Sequence, residues 1–198
     1  MKRSILILIF ITRFFTLTDA QEVVKLEASK SSFRWAGSHS FGFGKHDGTV
    51  NLKSGELTKE NGKITGGKVI IDMNTIVNTD GDYSQDLVDH LKSEDFFDVA
   101  KHPTAELIFT KIHYYDPNRT PGDPIVYIKA NANLIIKGIS QPIEFSVHTD
   151  DDHAEMSARF KIDRTRWKIN YQAKGFAERL KDSIISDAIE FNILLKMD

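Results

Sequence analysis

Seven histidines are the side chains in this sequence best suited to bind a metal or move a proton near neutral pH. His39 and His46 border a glycine-rich stretch, and His90 and His102 flank the pair Phe96-Phe97. None stands in a His-Glu-x-x-His spacing, and no two share a strand face two residues apart, so surface or hydrogen-bonded histidines are expected rather than a metal centre. Asn78, Asp80, Asp82, Ser84 and Asp89 echo a calcium loop. Tyr83, however, occupies the position that demands glycine, and Asp89 stands where a bidentate Glu is needed, which leaves a solvated acidic loop. Residues 150–152, three aspartates in a row, read as a turn. No Gly-x-Ser-x-Gly elbow activates a serine, and nothing selects one pair of carboxylates for acid–base work, so the expectation is no enzyme and no metal. There is no cysteine, which removes disulfides, thiolate chemistry and a lipid-modified cysteine anchor. Asn118-Arg119-Thr120 has the form of a glycosylation sequon, followed by a proline.

The aromatic side chains say more. Phe33, Trp35, Phe41, Phe43, Phe109, Phe145, Phe160 and Phe191 all fall on the apolar faces of strand-like segments. The same faces carry Ala130, Ala132, Ala154 and Ala158. Small residues opposite large ones either interdigitate into a solid core or leave space for a small ligand, and the pattern is compatible with both.

The elements that position these residues are mostly strands. Phe33 and Trp35 share one side of the first. Val50 and Leu52 continue a second, and Ser54-Gly55 shifts its phase before Leu57 as a bulge would. Glu60-Asn61-Gly62-Lys63 is a hairpin turn, after which Ile64, Val69, Ile71 and Met73 return. Residues 74–86 are polar and read as a loop. Leu87, Val88 and Leu91 then share one face of a helix of about residues 86–92. Ser93 reads as the N-cap of a following turn, with Glu94 and Asp95 placed to complement its dipole. His102-Pro103 stops helix, and Ala105, Leu107 and Phe109 alternate as a strand. The densest turn signals lie at 116–124. Val126, Ile128, Ala130, Ala132, Leu134 and Ile136 give the clearest alternation, resumed after Gly138 by Ile143, Phe145 and Val147. Met156, Ala158, Phe160 and Ile162 form another strand, residues 164–182 a basic and aromatic crossing, and Ile189 to Met197 the last strand. Each strand has one apolar face to bury. Up-and-down order with eight strands predicts an all-β closed antiparallel barrel with one short helix and a helical or loop crossing before the last strand; a sandwich is the alternative.

The first twenty residues differ from the rest. Lys2 and Arg3 precede an apolar run from Ile5, and Thr18-Asp19-Ala20 offers small residues for cleavage, so 1–20 is expected to be a secretory signal peptide and 21–198 the mature domain. The run is too short and interrupted, by Arg13, to span a bilayer. Removing it leaves 23 basic against 27 acidic residues, a net charge of −4. The expected location is therefore periplasmic or extracellular, with no membrane span. With a slightly acidic balance and no long basic run, nucleic acid is not an expected partner.

Three segments resemble a known family. His90-Leu91-Lys92-Ser93-x-Asp95-Phe96-Phe97-Asp98-Val99-x-Lys101-x-Pro103-Thr104 resembles the signature of the YceI-like, lipid/polyisoprenoid-binding domain. Residues 132–143 resemble its paired strands around a Lys-Gly turn, and 160–167 its late strand and Arg-rich exit; the resemblance covers 22–197. It implies a lipocalin-like barrel in an exported bacterial protein that binds an isoprenoid lipid or quinone for transport or storage. No cofactor beyond that lipid is implied, and membrane contact would be transient, for ligand exchange. The expected lining combines the apolar strand faces, Phe33, Trp35, Phe41, Phe43, Phe109, Ala132, Phe145, Ala158 and Phe160, with Phe96, Phe97 and Trp167 of the matching segments, and the resemblance implies that Arg164 and Trp167 frame the mouth. The signature segment is either scaffold or ligand contact. The competing expectation is a structural or stress-associated periplasmic protein whose barrel is full.

Overall fold

The computed structural model describes residues 21–38, 44–81, 84–115, 125–150, 153–173 and 185–198. The leader expected at 1–20 and the pair Phe41 and Phe43 lie outside them. Eight strands form a closed antiparallel meander: β2 (Ser32–Ser38), β3 (Lys45–Glu60), β4 (Lys63–Asn78), β5 (Thr104–Tyr114), β6 (Ile125–Ile136), β7 (Ile139–Asp150), β8 (Glu155–Asp163) and β9 (Ala188–Lys196). Each pairs with the next, and β9 returns to β2 to close the barrel. One helix, α1 (Ser84–Lys92), follows β4, and a 3₁₀ helix (Arg164–Trp167) follows β8. The expected barrel is therefore the observed one, rather than a sandwich.

Period-two patterning does most of the work. Every inward residue of β6, from Val126 to Ile136, is buried, and all twelve of its residues pair with β7. Asn61 and Gly62 sit at φ of 52° and 74°, the left-handed pair a tight hairpin needs. The register of β3 against β4 slips between Leu52 and Ser54, where the phase shift placed a bulge, and again near Thr49 and Thr58. These slips curve the two longest strands, as closing a barrel requires.

The signature segment covers one end of the barrel. Leu91, Phe96, Phe97 and Val99 are buried there, and Phe96 and Phe97 meet edge to face at 4.9 Å. Asp98, at φ of 49°, turns the chain, and its carbonyl accepts from the amides of Lys101 and His102. Pro103 then accepts from Met73 N–H, and Lys137 Nζ, at the β6–β7 turn, donates to the Glu94 carbonyl at 3.0 Å.

Four sequence expectations need correction. A ninth strand, β1 (Glu22–Lys25), pairs with β3 over Lys59–Glu56, beyond the stretch of β3 that β2 uses. It is short and mostly exposed, so it carries no alternation to read. β4 runs to Asn78, into what reads as a loop, with Ile76 buried at its end. Ser93 does not cap the following turn with its side chain: its hydroxyl donates to the His90 carbonyl at 2.8 Å and so closes α1. Ala154 precedes β8 and is exposed.

Candidate functional site

The half of the barrel beneath the signature segment holds an apolar cavity of about 90 Å³. Its walls come from successive strands: Phe33 and Trp35 of β2, Ile71, Met73 and Ile76 of β4, Leu107 of β5, Leu134 of β6, Phe160 of β8 and Phe191 of β9. Its roof is Leu91, Phe96 and Phe97. Trp35 is held tightly from behind, because Gly48 leaves no room there: a Cβ on Gly48 would lie 2.6 Å from the indole and 1.8 Å from the Val77 carbonyl oxygen.

One charged side chain reaches this wall. Arg164 is fully buried, with its guanidinium 5.6 Å over the Phe96 ring. Its Nε donates to the Ser186 carbonyl at 3.0 Å, Nη1 to Ile169 at 2.8 Å and Nη2 to Ile185 at 3.3 Å; Asp187 lies 3.8 Å away. Burial lowers its pKa, opposed by the charges of Asp187 and Asp163. The cation is thus engaged with the backbone of Ile169 on one side and of Ile185 and Ser186 on the other, and its placement is that of a strut. Trp167, also fully buried, donates from Nε1 to the Leu134 carbonyl at 3.0 Å.

The structure brings together Phe33, Trp35, Phe96, Phe97 and Phe160 of the expected lining. Phe109, Ala132, Phe145 and Ala158 are buried but belong to the other half of the core, where Phe109 and Phe145 lie 6.2 Å apart. Trp167 supports the wall from outside the cavity. Sequence reasoning missed Ile71, Met73, Ile76, Leu91, Leu107, Leu134 and Phe191 as lining residues. Leu91 and Met73 belonged to recognised apolar faces, and only the end of the barrel that the helix covers distinguishes them. Ile76 carried no signal, being one apolar residue in a polar stretch.

Beyond the end of β4, Asp80 pairs locally. His46 Nδ1 lies 2.8 Å from Asp80 Oδ2, and Asn78 Nδ2 donates to Asp80 Oδ1 at 2.8 Å. Desolvation works against the Asp80 carboxylate, but hydrogen bonds from Asn78 and His46 prevail and lower its pKa. Among the described residues no three His, Asp or Glu side chains converge as a metal site would require. No helix among them is long and apolar enough to cross a membrane. The arrangement is an apolar enclosure that one buried cation borders.

Known proteins share this architecture. A UPF0312 protein of Shewanella denitrificans is 25% identical over 130 residues, 66% of this chain and 62% of that relative. The chain thus matches somewhat less than two thirds of that relative's length. The crystal structure of Burkholderia cenocepacia BcnA matches with a TM-score of 0.57 at 16% identity, covering 86% of this chain and 98% of that one. A mutant of the Campylobacter jejuni YceI protein matches with a TM-score of 0.50 at 17% identity, covering 100% and 99%. Both show the fold. The YceI-like domain model matches residues 24–197, from within β1 to just past the end of β9, and by that match the chain belongs to the YceI-like domain family.

Proposed function

We infer that this protein is an exported, non-enzymatic carrier that holds a long isoprenoid chain, of polyprenyl or quinone type, with the tail in the barrel. The observation that carries this reading is the cavity itself. It has an unbroken apolar wall and roof, and the one charge that reaches it is already spent on backbone carbonyls. Burying a hydrocarbon tail there gains about 0.8 kcal/mol per methylene before the costs of ordering it. Organic extraction of the purified protein followed by mass spectrometry tests the reading: a stoichiometric isoprenoid is expected.

The size of the cavity favours a second reading. About 90 Å³ is below the ~300 Å³ of an ordinary small-molecule pocket. A structural or stress-associated protein with an essentially filled barrel would look the same. Failure of vesicle-delivered polyprenol to bind, together with an empty extract, would select it.

A further inference from the structure

The barrel is closed unevenly. β7 has twelve residues and β8 nine, yet only three pairs join them, Val147↔Ala158 to Thr149↔Met156. The next shortest seam, β2–β9, has five pairs on a strand of seven residues. Residues 139–145 of β7 are therefore unpaired on the side of β8, and 160–163 of β8 on the side of β7. Within that stretch Pro142 has no N–H to offer a neighbour.

The gap is bounded at both ends. At one end stand the three ladder pairs. At the other, the 3₁₀ helix clasps β7: Arg166 Nη2 donates to the Pro142 carbonyl at 2.8 Å, and Gln141 Nε2 donates to the Arg166 carbonyl at 3.0 Å. Between these limits only side chains close the wall. Phe145 and Phe160 stack across the seam with centroids 4.6 Å apart and planes 24° apart, and Phe160 continues to Phe191 at 5.7 Å. Inward positions elsewhere on β6, β8 and β9 are buried. Ile143, Phe160 and Phe191, although inward in register, are only partly buried. Phe160 and Phe191 also line the cavity, so the apolar surface runs from the cavity to the seam without interruption.

These facts meet the shortage of room inside. A long tail cannot be enclosed by the cavity as it stands, so some part of the wall must yield. Parting paired strands would break backbone hydrogen bonds, each leaving buried polar groups unsatisfied at about 1–3 kcal/mol. Along 143–145 and 160–162 there are no ladder bonds to break; only ring contacts separate.

We propose that the β7–β8 seam is a lateral binding site for an acyclic hydrocarbon chain, which enters sideways there and lies between Ile143, Phe145, Phe160 and Phe191, continuous with the cavity. The proposal rests on the carrier reading above. Entry displaces the Phe145–Phe160 stack while the ladder above and the Arg166 clasp below hold the barrel in shape.

The chain has no cysteine, so a pair introduced by Glu144→Cys with Lys161→Cys provides the only thiols. These positions continue the Val147↔Ala158 register across the seam. The same variant is compared before and after linking with a short bis-thiol reagent. A second pair, Lys129→Cys with Ser146→Cys, spans the intact β6–β7 ladder as control. The readout is the transfer rate of a fluorescent polyprenol from phosphatidylcholine vesicles. Linking across the seam should slow uptake and release roughly tenfold or more, a change of ~1.4 kcal/mol in barrier, and linking the control pair should not. Equal rates before and after linking, with binding intact, would overturn the seam and leave the carrier reading standing. No uptake by the unmodified protein would overturn both. Amide exchange of the unsubstituted protein gives an independent measure: polyprenol should change exchange chiefly at 143–145 and 160–162, and no change there would also overturn the proposal.

Discussion

At the scale of single residues, two side chains hold the candidate site in place without being obvious participants. Arg164 donates to three carbonyls, of Ile169, Ile185 and Ser186, that lie far apart in the sequence. A lysine has the same charge but a single nitrogen, which cannot reach three acceptors in different directions. Arg164→Lys should therefore lower stability by about 3 kcal/mol or more, read as a shift in the urea midpoint at unchanged slope. Gly48 acts by absence. The Val77 carbonyl occupies the place of its missing side chain, and the Trp35 indole lies against it. Gly48→Ala must push one strand from another, so it should cost about 1–3 kcal/mol and perturb tryptophan fluorescence through Trp35. Neither role was legible beforehand. A glycine in a strand signals close approach in general, but only the register of β3 on β4 shows what approaches.

At the scale of elements, the legible and the hidden parts separate by what kind of information each needs. Alternation is local, so 126–136 and 105–109 announce their strands and inward faces directly. The Asn61-Gly62 turn is local too. Which strands pair, and for how far, is not: Ile143, Phe145, Phe160 and Ile162 alternate as regularly as paired strands do, although the backbone between them is unpaired. The capping role read for Ser93 failed for a related reason, since a hydroxyl can serve the turn before it or the turn after it, although the helix does end at Lys92 as expected. Interactions on β8's other side explain why it stays in place. All nine of its residues pair with β9, and Arg159 and Lys161 share Glu190. The hydrogen bond from Arg159, helped by its charge and by Lys161 and opposed by desolvation, lowers the Glu190 pKa. A carboxylate lowered on folding stabilises above its unfolded value, ~4.3, and that contribution fades as pH falls through the lower folded value. The difference in stability between the wild type and Glu190→Gln should accordingly shrink on acidification below about pH 4 in chemical denaturation, and be constant from about pH 6 to 8.

At the scale of the whole molecule, the barrel is divided across its length. Phe109, Ala132, Phe145 and Ala158 fill one half, and the cavity occupies the other, under α1 and the signature segment. Small residues are therefore not equivalent. Ala105 lines the cavity, whereas Ala132 pairs with Ile143 beside the β7–β8 seam. A short isoprenoid such as farnesol meets only the cavity; a long polyprenol must also reach the seam. Each added unit buries more carbon without a new association cost, so affinity should rise with tail length and then level off once cavity and seam are occupied. Ala105→Phe removes volume that every ligand uses and should weaken short and long chains alike. Ala132→Trp should cost about 1–3 kcal/mol of stability through overpacking, yet weaken binding of the long chain selectively. Thermal shifts give the same ordering, because a ligand at a hundred times its Kd stabilises by ~2.7 kcal/mol, so the longer chain should raise Tm more at equal concentration. Titration of the wild type and both variants with farnesol and a long polyprenol checks this. If Ala132→Trp weakened both ligands equally, the two halves of the barrel would act as one volume, and the division drawn from the cavity's position would be wrong.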